Sequence, residues 1–314
     1  MLPTISVIIP AYNVDDYIET TLNSLKCQTF QNFEALVVDD GSTDLTCTKV
    51  LPFINADNRF RLLSKKNGGL SSARNYGIQH ARGKYIALLD GDDAYAPEKL
   101  ATHIEILESQ SNVGVVYSGS RIMRNDDKLT GFTLSGRPIH KDLLVALLYK
   151  NFLGHGSNGI FRRSLIDQVG SFDEALRSAE DVDFWLRIAA TTGQFWRVRK
   201  PLAYYRVRPS GLSFNVSQME RSGEQVLESA YQRSPQRLEK AMPTARAYLY
   251  RYLARLALTA NDSESARIYL DRALASDPKI FWQDPRSLLT LAAVRLSPFA
   301  QLGIRQILGT SQRS

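Results

Sequence analysis

Residues 5–44 read ISVIIPAYNVDDYIETTLNSLKCQTFQNFEALVVDDGSTD, and this stretch decides the fold. Residues 6–9 form a short apolar run stopped by Pro10, and residues 34–38 form a second that ends in Asp39-Asp40-Gly41. Both have the length and composition of buried strands. Between them Tyr17, Ile18, Leu22 and Leu25 recur at helical spacing. Strand, helix and strand in so short a stretch make a βαβ unit, and with it a parallel sheet. Working outward, Ser42 is expected to cap the next helix, followed by a strand at 60–63, a helix at 71–81 and a strand at 85–89. The predicted class is α/β, a Rossmann-like, mostly parallel sheet flanked by helices.

In open parallel sheets, ligands bind beyond the carboxyl ends of the strands. Four polar loops fall there: Pro10-Ala11-Tyr12-Asn13, Asp39-Asp40-Gly41-Ser42, Asn67-Gly68-Gly69 and Asp90-Gly91-Asp92-Asp93. The last crowds three carboxylates into four residues, which repel one another unless positive charge sits among them. Hard oxygen ligands on few side chains suit Mg2+ or Mn2+ that completes its shell with phosphate oxygens and water. An acidic turn capping a helix near Pro97 accounts for the same loop. Asp40 can accept from a nucleobase N–H or a ribose hydroxyl, or cap a helix. The backbone N–H groups around Gly69 can hold an anion, with Arg74 one turn along to add a diphosphate contact. The Gly-Lys-Ser/Thr ending of a P-loop is missing. Ser178-Ala179-Glu180-Asp181-Val182-Asp183 reads as a helix start, with Ser178 and Asp181 as a capping pair and Val182, Leu186 and Ala189 on the buried face. The same Asp181, which the helix dipole is expected to hold ionised and so ready but weakly basic, suits a general base.

From about residue 215 the strand signals stop and helical periodicity takes over at 218–232, 244–260, 263–275 and 285–294. The chain is therefore expected to divide into a catalytic part, 1–214, and a helical appendage, 215–314. Leu253, Leu256 and Ala257, then Ala266, Tyr269, Leu270 and Ala273, resemble one tetratricopeptide helix pair, which cannot bury its apolar face alone. Charge divides unevenly. Through Trp196 there are 20 Lys and Arg against 23 Asp and Glu, a balance of −3; beyond it 19 stand against 9, a balance of +10. Basic helices suit anionic lipid headgroups or an acidic polymer, and equally a solvated face. With no zinc-finger spacing and no aromatic RNA-binding signature, nucleic acid is not an expected partner. No charged leader precedes an apolar core, and the longest apolar run, 288–296, is too short to span a bilayer. A cytoplasmic chain is expected, peripheral at the membrane at most. Cys27 and Cys47 lack metal-ligand spacing and are expected as small buried hydrophobes in a reducing compartment.

Five stretches in order over residues 5–213 resemble the family 2 glycosyltransferases, whose fold is called GT-A. They are residues 6–13, residues 37–44, Ala73-Arg74-Asn75-Tyr76-Gly77, Leu88-Leu89-Asp90-Gly91-Asp92-Asp93, and Ala179-Glu180-Asp181-Val182-Asp183-Phe184-Trp185. The resemblance implies transfer of a sugar from a nucleotide-diphosphate sugar, most simply a UDP-sugar, to a hydroxyl of a glycan, lipid-linked or cell-surface polysaccharide acceptor. It implies that Pro10, Tyr12, Asn13, Asp40, Gly69, Arg74 and Asp90 lie along the donor, that Asp92 with Asp90 holds the metal, and that Asp181 is the base of an inverting displacement. One departure is Arg208, where the family often has histidine; arginine cannot ligate a metal but can hold a diphosphate bidentately. A thinner metal site with cationic help from Arg208 follows. The acceptor is expected along residues 121–158 and the helical tail, with His155 a loop residue rather than a catalyst. Two other readings stay open. A sugar-phosphate nucleotidyltransferase uses similar carboxylates but a long glycine-rich basic loop near its start, and a non-catalytic scaffold acts through the helices alone.

Overall fold

The computed structural model describes residues 2–134, 136–191, 194–208 and 215–296. The chain divides into two compact units, Met1–Pro138 with Asn151–Arg208, and Ile139–Lys150 with Pro209–Ser314. The second takes in residues 139–150, which a single cut in the sequence leaves with the sheet, because the wholly apolar helix within them packs on the long helices of that unit.

The first unit runs β1 (Ile5–Ala11), α1 (Ile18–Lys26), β2 (Phe33–Asp39), α2 (Thr46–Ala56), β3 (Phe60–Ser64), α3 (Leu70–Gln79), β4 (Tyr85–Leu88), β5 (Ala94–Tyr95), α4 (Lys99–Ser109), β6 (Val113–Met123) and β7 (Leu129–Leu134). After the excursion of α5 (Leu143–Tyr149) into the other unit, it resumes with β8 (Ile160–Arg162), α6 (Leu165–Val169), α7 (Glu180–Ala190) and β9 (Gln194–Arg206). The strand order is β3-β2-β1-β4-β8-β6-β9-β5, with β7 paired to β6. Strands β1 to β4 are mutually parallel, as are β6 and β9, while β8 runs antiparallel between β4 and β6. The α/β sheet expected from residues 5–44 is present. Both faces are covered: Ile5, Val7 and Ile9 lie in one core with Ile18, Leu22 and Leu25, while α3 packs against β1 and β2. Strands buried on both faces read as continuous apolar runs, which is why periodicity alone located them.

Three local expectations are corrected. Pro10 does not stop β1, which continues to Ala11 in register with Asp39. Beyond Ile8 the β4 side of β1 has no strand beside it, and the Pro10 carbonyl there accepts from Gly91 N at 3.2 Å, so the missing proline N–H removes no ladder bond. Ser42 caps no helix: α2 starts at Thr46, whose N–H is taken by Asp44 at 2.9 Å. Neither cysteine is buried; Cys27 is exposed and Cys47 half-buried, both as free thiols.

The second unit contains α5, α8 (Val216–Arg233), α9 (Pro235–Leu238), α10 (Met242–Thr259), α11 (Ser263–Ser276), α12 (Ile280–Gln283) and α13 (Pro285–Arg295). The apolar residues read as a helix pair do meet: Leu253, Leu256 and Ala257 share a core with Ala266, Tyr269, Leu270 and Ala273, closed by Ile280, Phe281, Ala293 and Val294. The pair is thus covered by helices of its own unit. No described helix is long and apolar enough to cross a membrane.

Candidate active site

The carboxyl ends of β1, β2 and β4 carry the polar loops, and the loops bond to one another. Asn13, in the left-handed region at φ 50°, donates its N–H to Ser42 Oγ at 3.2 Å and accepts from Thr43 N at 2.9 Å. Tyr12 beside it is 51% exposed, a free aromatic face at the rim. Asp40 is 3% exposed, and its carboxylate takes Lys65 Nζ at 2.7 Å, Gly68 N at 3.0 Å and Gly69 N at 2.7 Å. The N–H groups that the glycine loop offers to a diphosphate are therefore held by the chain's own Asp40, a carboxylate mimicking the expected anion. Gly69 sits at φ 91°, where a side chain is strained, as the N-cap of α3.

The three acids of the 90–93 loop have separate partners. Asp90 Oδ1 accepts from Arg74 Nη2 at 2.8 Å. Asp93, 1% exposed, accepts from Arg206 N at 2.8 Å and Ser157 Oγ at 2.6 Å, which locks β9 and the 156–158 turn to the loop. Asp92 lies 2.6 Å from Arg208 Nε, an ion pair whose N–H is not aimed along a hydrogen bond. Burial, then the charge of Asp93, pushes the Asp92 carboxyl up to about 7 against the pull of Arg208. Asp92 thus has Arg208 as its cationic partner and still keeps a carboxyl less acidic than an ordinary aspartate. Arg208, which the sequence assigns to a diphosphate, stacks over Tyr17 at 5.1 Å.

Arg74 is not at the surface of the cleft. It is 1% exposed, and Nη1 donates to Glu180 Oε1 at 2.6 Å while Nη2 holds Asp90. The two carboxylates hold its own pKa above the usual arginine range in spite of burial. It is a strut joining the end of β4 to the start of α7. Asp181 follows Glu180 in the first turn of α7, where Asn151 Nδ2 donates to Oδ2 at 3.2 Å. Burial and then Glu180 raise its pKa to about 6, with Arg74 opposing. Ala179 occupies the N-cap at φ 56° with no side-chain cap, and Phe184, Trp185, Leu186, Ile188 and Ala189 bury while Val182 stays half-buried.

His155 is 7% exposed, with Nε2 2.7 Å from Ser120 Oγ, Nδ1 3.5 Å from Asp93 Oδ2 and its ring stacked on Tyr205 at 4.5 Å. Beneath it, the fully buried Lys99 donates to the Asn158 carbonyl at 3.0 Å and to Asn158 Oδ1 at 3.3 Å, with burial lowering its pKa to about 7. Sequence reasoning missed Lys99, Asn151, Ser157 and Glu180 as supports. Glu180 alone had a signal, its place beside Asp181 in the 178–183 motif.

The fold defines a class: an α/β domain whose mostly parallel sheet carries polar loops at the carboxyl ends of its first strands, with Arg74 joining Asp90 at the end of β4 to Glu180 at the start of α7. Residues 6–170 match the model of glycosyl transferase family 2, more than half of the chain, and the protein belongs to that family. It is 31% identical over 220 residues to the uncharacterized glycosyltransferase EpsJ of Bacillus subtilis (strain 168), a match covering 68% of this chain and 64% of that one. It is 34% identical over 189 residues to an uncharacterized glycosyltransferase of Rickettsia bellii (strain RML369-C), covering 59% of this chain and 27% of the relative, so the chain spans only part of its curated relatives' length. Among solved structures, Staphylococcus aureus TarS 1-349 in complex with UDP superposes with TM-score 0.54 at 20% identity, covering 90% and 92% of the two chains. The mannosyltransferase PcManGT of Pyrobaculum calidifontis, in complex with GDP-Man and Mn2+, gives 0.55 at 22%, covering 90% and 88%. These establish the GT-A fold.

Proposed function

We propose that the sheet-bearing unit is an inverting glycosyltransferase moving a sugar from a nucleotide-diphosphate sugar, UDP-sugars first, onto a hydroxyl of a glycan or lipid-linked acceptor. The observation that carries this reading is Asp181: a part-buried carboxylate raised to about 6 and tied through Glu180 and Arg74 to Asp90 of the acidic loop. An acid with that value is ionised at neutral pH yet more basic than an exposed aspartate, as a general base requires. Asp181 takes the acceptor proton, the freed oxygen bonds to the anomeric carbon from the face opposite the diphosphate, and the carbon–oxygen bond to the diphosphate breaks with its electron pair leaving on the nucleotide. The sugar inverts.

The donor set around Asp92 fits a hard divalent cation sparingly. Among the described residues no group of three or more His, Cys, Asp or Glu is placed for a metal, and Asp90 and Asp93 are engaged by the fold. Asp92 would hold Mg2+ or Mn2+ with Asp90 beside it, leaving most of the shell to phosphate oxygens and water. When bound, the cation supplies charge stabilisation to the leaving diphosphate. Arg208, released from Asp92, can turn its fork to the same oxygens. Tyr12 offers a face for the base or sugar.

Asp181→Asn should lower turnover by at least about a thousandfold while leaving UDP affinity within a few-fold of the parent. Near-parental turnover ends the base assignment, and retained anomeric configuration in the product, read by NMR, ends the inverting mechanism.

A further inference from the structure

The helical unit contains a concentration of positive charge that the transfer reaction does not use. Arg251 and Arg255 lie one turn apart on α10, so both project from the same face, where like charges repel. Tyr149 at the end of α5 packs on Tyr248 of α10 at 5.7 Å, which brings Lys150 to this place. Arg286 stands in the first turn of α13, at the positive end of an eleven-residue helix. Arg251 is 6% exposed; it makes no ion pair among the described residues, its Nε has no hydrogen-bond partner, and its guanidinium rests 5.7 Å from the Tyr248 ring.

Helix α10 packs against both α5 and α13, which sets Lys150 and Arg286 beside its Arg251–Arg255 face. Burial and then the charges of Arg286, Arg251 and Arg255 push Lys150 down to about 8, with Asp284 opposing. Burial and then Arg255 lower Arg251 to about 10, again with Asp284 opposing. Asp284 is also engaged, because its Oδ1 caps α13 by accepting from Arg286 N at 3.0 Å. Among the described residues the carboxylate acting on both Lys150 and Arg251 is Asp284, already bonded, while Asp277 nearby accepts from Thr244 Oγ1 at 2.6 Å. A buried guanidinium left without a partner is a costly arrangement unless something supplies the missing negative charge.

We propose that Lys150, Arg251, Arg255 and Arg286 form a binding site for a phosphate-type oxyanion, a diphosphate or phosphoester group held by the guanidinium forks at the start of α13. Planar guanidinium groups match phosphate oxygens in pairs, and a helix N-terminus favours the same charge. The site lies wholly within the helical unit and does not depend on the assignment of Asp181.

The test uses the full chain at low ionic strength. Pyrophosphate should raise the melting temperature saturably. Arg208→Gln, in the donor cleft, should retain that shift. Arg255→Gln and Lys150→Gln, both at half-buried positions that tolerate substitution, should weaken the dissociation constant by about tenfold, the scale of one lost charge-assisted bond. A second arm measures co-sedimentation with vesicles of phosphatidylcholine and phosphatidylglycerol against phosphatidylcholine alone. Charge-dependent sedimentation lost in Arg255→Gln identifies a lipid headgroup as the source of the oxyanion; a pyrophosphate shift without sedimentation identifies a free phosphate compound. No response in either arm, or one equally strong in Arg255→Gln and Lys150→Gln, overturns the site.

Discussion

A guanidinium that is 1% exposed and holds Asp90 with one nitrogen and Glu180 with another has almost no slack. Its position depends on a neighbour without a side chain: a Cβ on Gly156 would sit 2.4 Å from Arg74 Nη2 and 3.4 Å from Asp90 Oδ2. Gly156→Ala should therefore break the Arg74–Asp90 bond, costing about 1–3 kcal/mol in urea unfolding and lowering turnover together with it. An unchanged stability would mean that Arg74 has room to retreat. The role of Arg74 was not legible beforehand. In the sequence it stands one turn past a glycine loop, the setting of a phosphate ligand, and its true partner Glu180 is 106 residues away. The partners of Asp40 were equally hidden, since its carboxylate meets a loop 28 residues on. A residue's type was readable in both cases, while its partner was decided by topology.

At the scale of elements, apolar runs marked β1 to β4 because burial leaves a strong signature in composition, and helical spacing marked the helices beside them and the long helices after residue 215, while β5 to β9 were not located beforehand. Ends were read less well. Pro10 looked like a stop until the absence of a strand beyond Leu88 on that side removed the need for its N–H. The start of α7 is the clearest such case, because Ser178 and Asp181 have the letters of a capping pair, yet the helix begins from Ala179 in a left-handed conformation. A non-glycine residue held there is strained by roughly 1–2 kcal/mol. Ala179→Gly relieves that strain and supplies a better N-cap, so denaturant unfolding should show a gain of up to about 1 kcal/mol. Loss of stability would show that the methyl group of Ala179 packs more favourably than its backbone is strained.

For the whole molecule, the base and the fold respond oppositely to pH. Asp181 in the folded chain titrates near 6, above its ordinary 3.8, so its protonated form is the better-folded one. Its contribution to stability is whole below about pH 4 and is lost as pH rises through about 6. Transfer needs the ionised form and should rise over the same interval. Rate–pH profiles and thermal melts between pH 4 and 8 should thus show activity climbing where the Asp181 share of stability declines, and Asp181→Asn should abolish the second dependence along with the first. A parent and variant with identical melting profiles would contradict the raised value. The Arg74 strut gives this coupling a mechanical side. Because one buried side chain spans from the strand end that carries Asp90 to the helix turn that carries Asp181, the proposed leaving-group side and the proposed base are held apart by a fixed internal ruler.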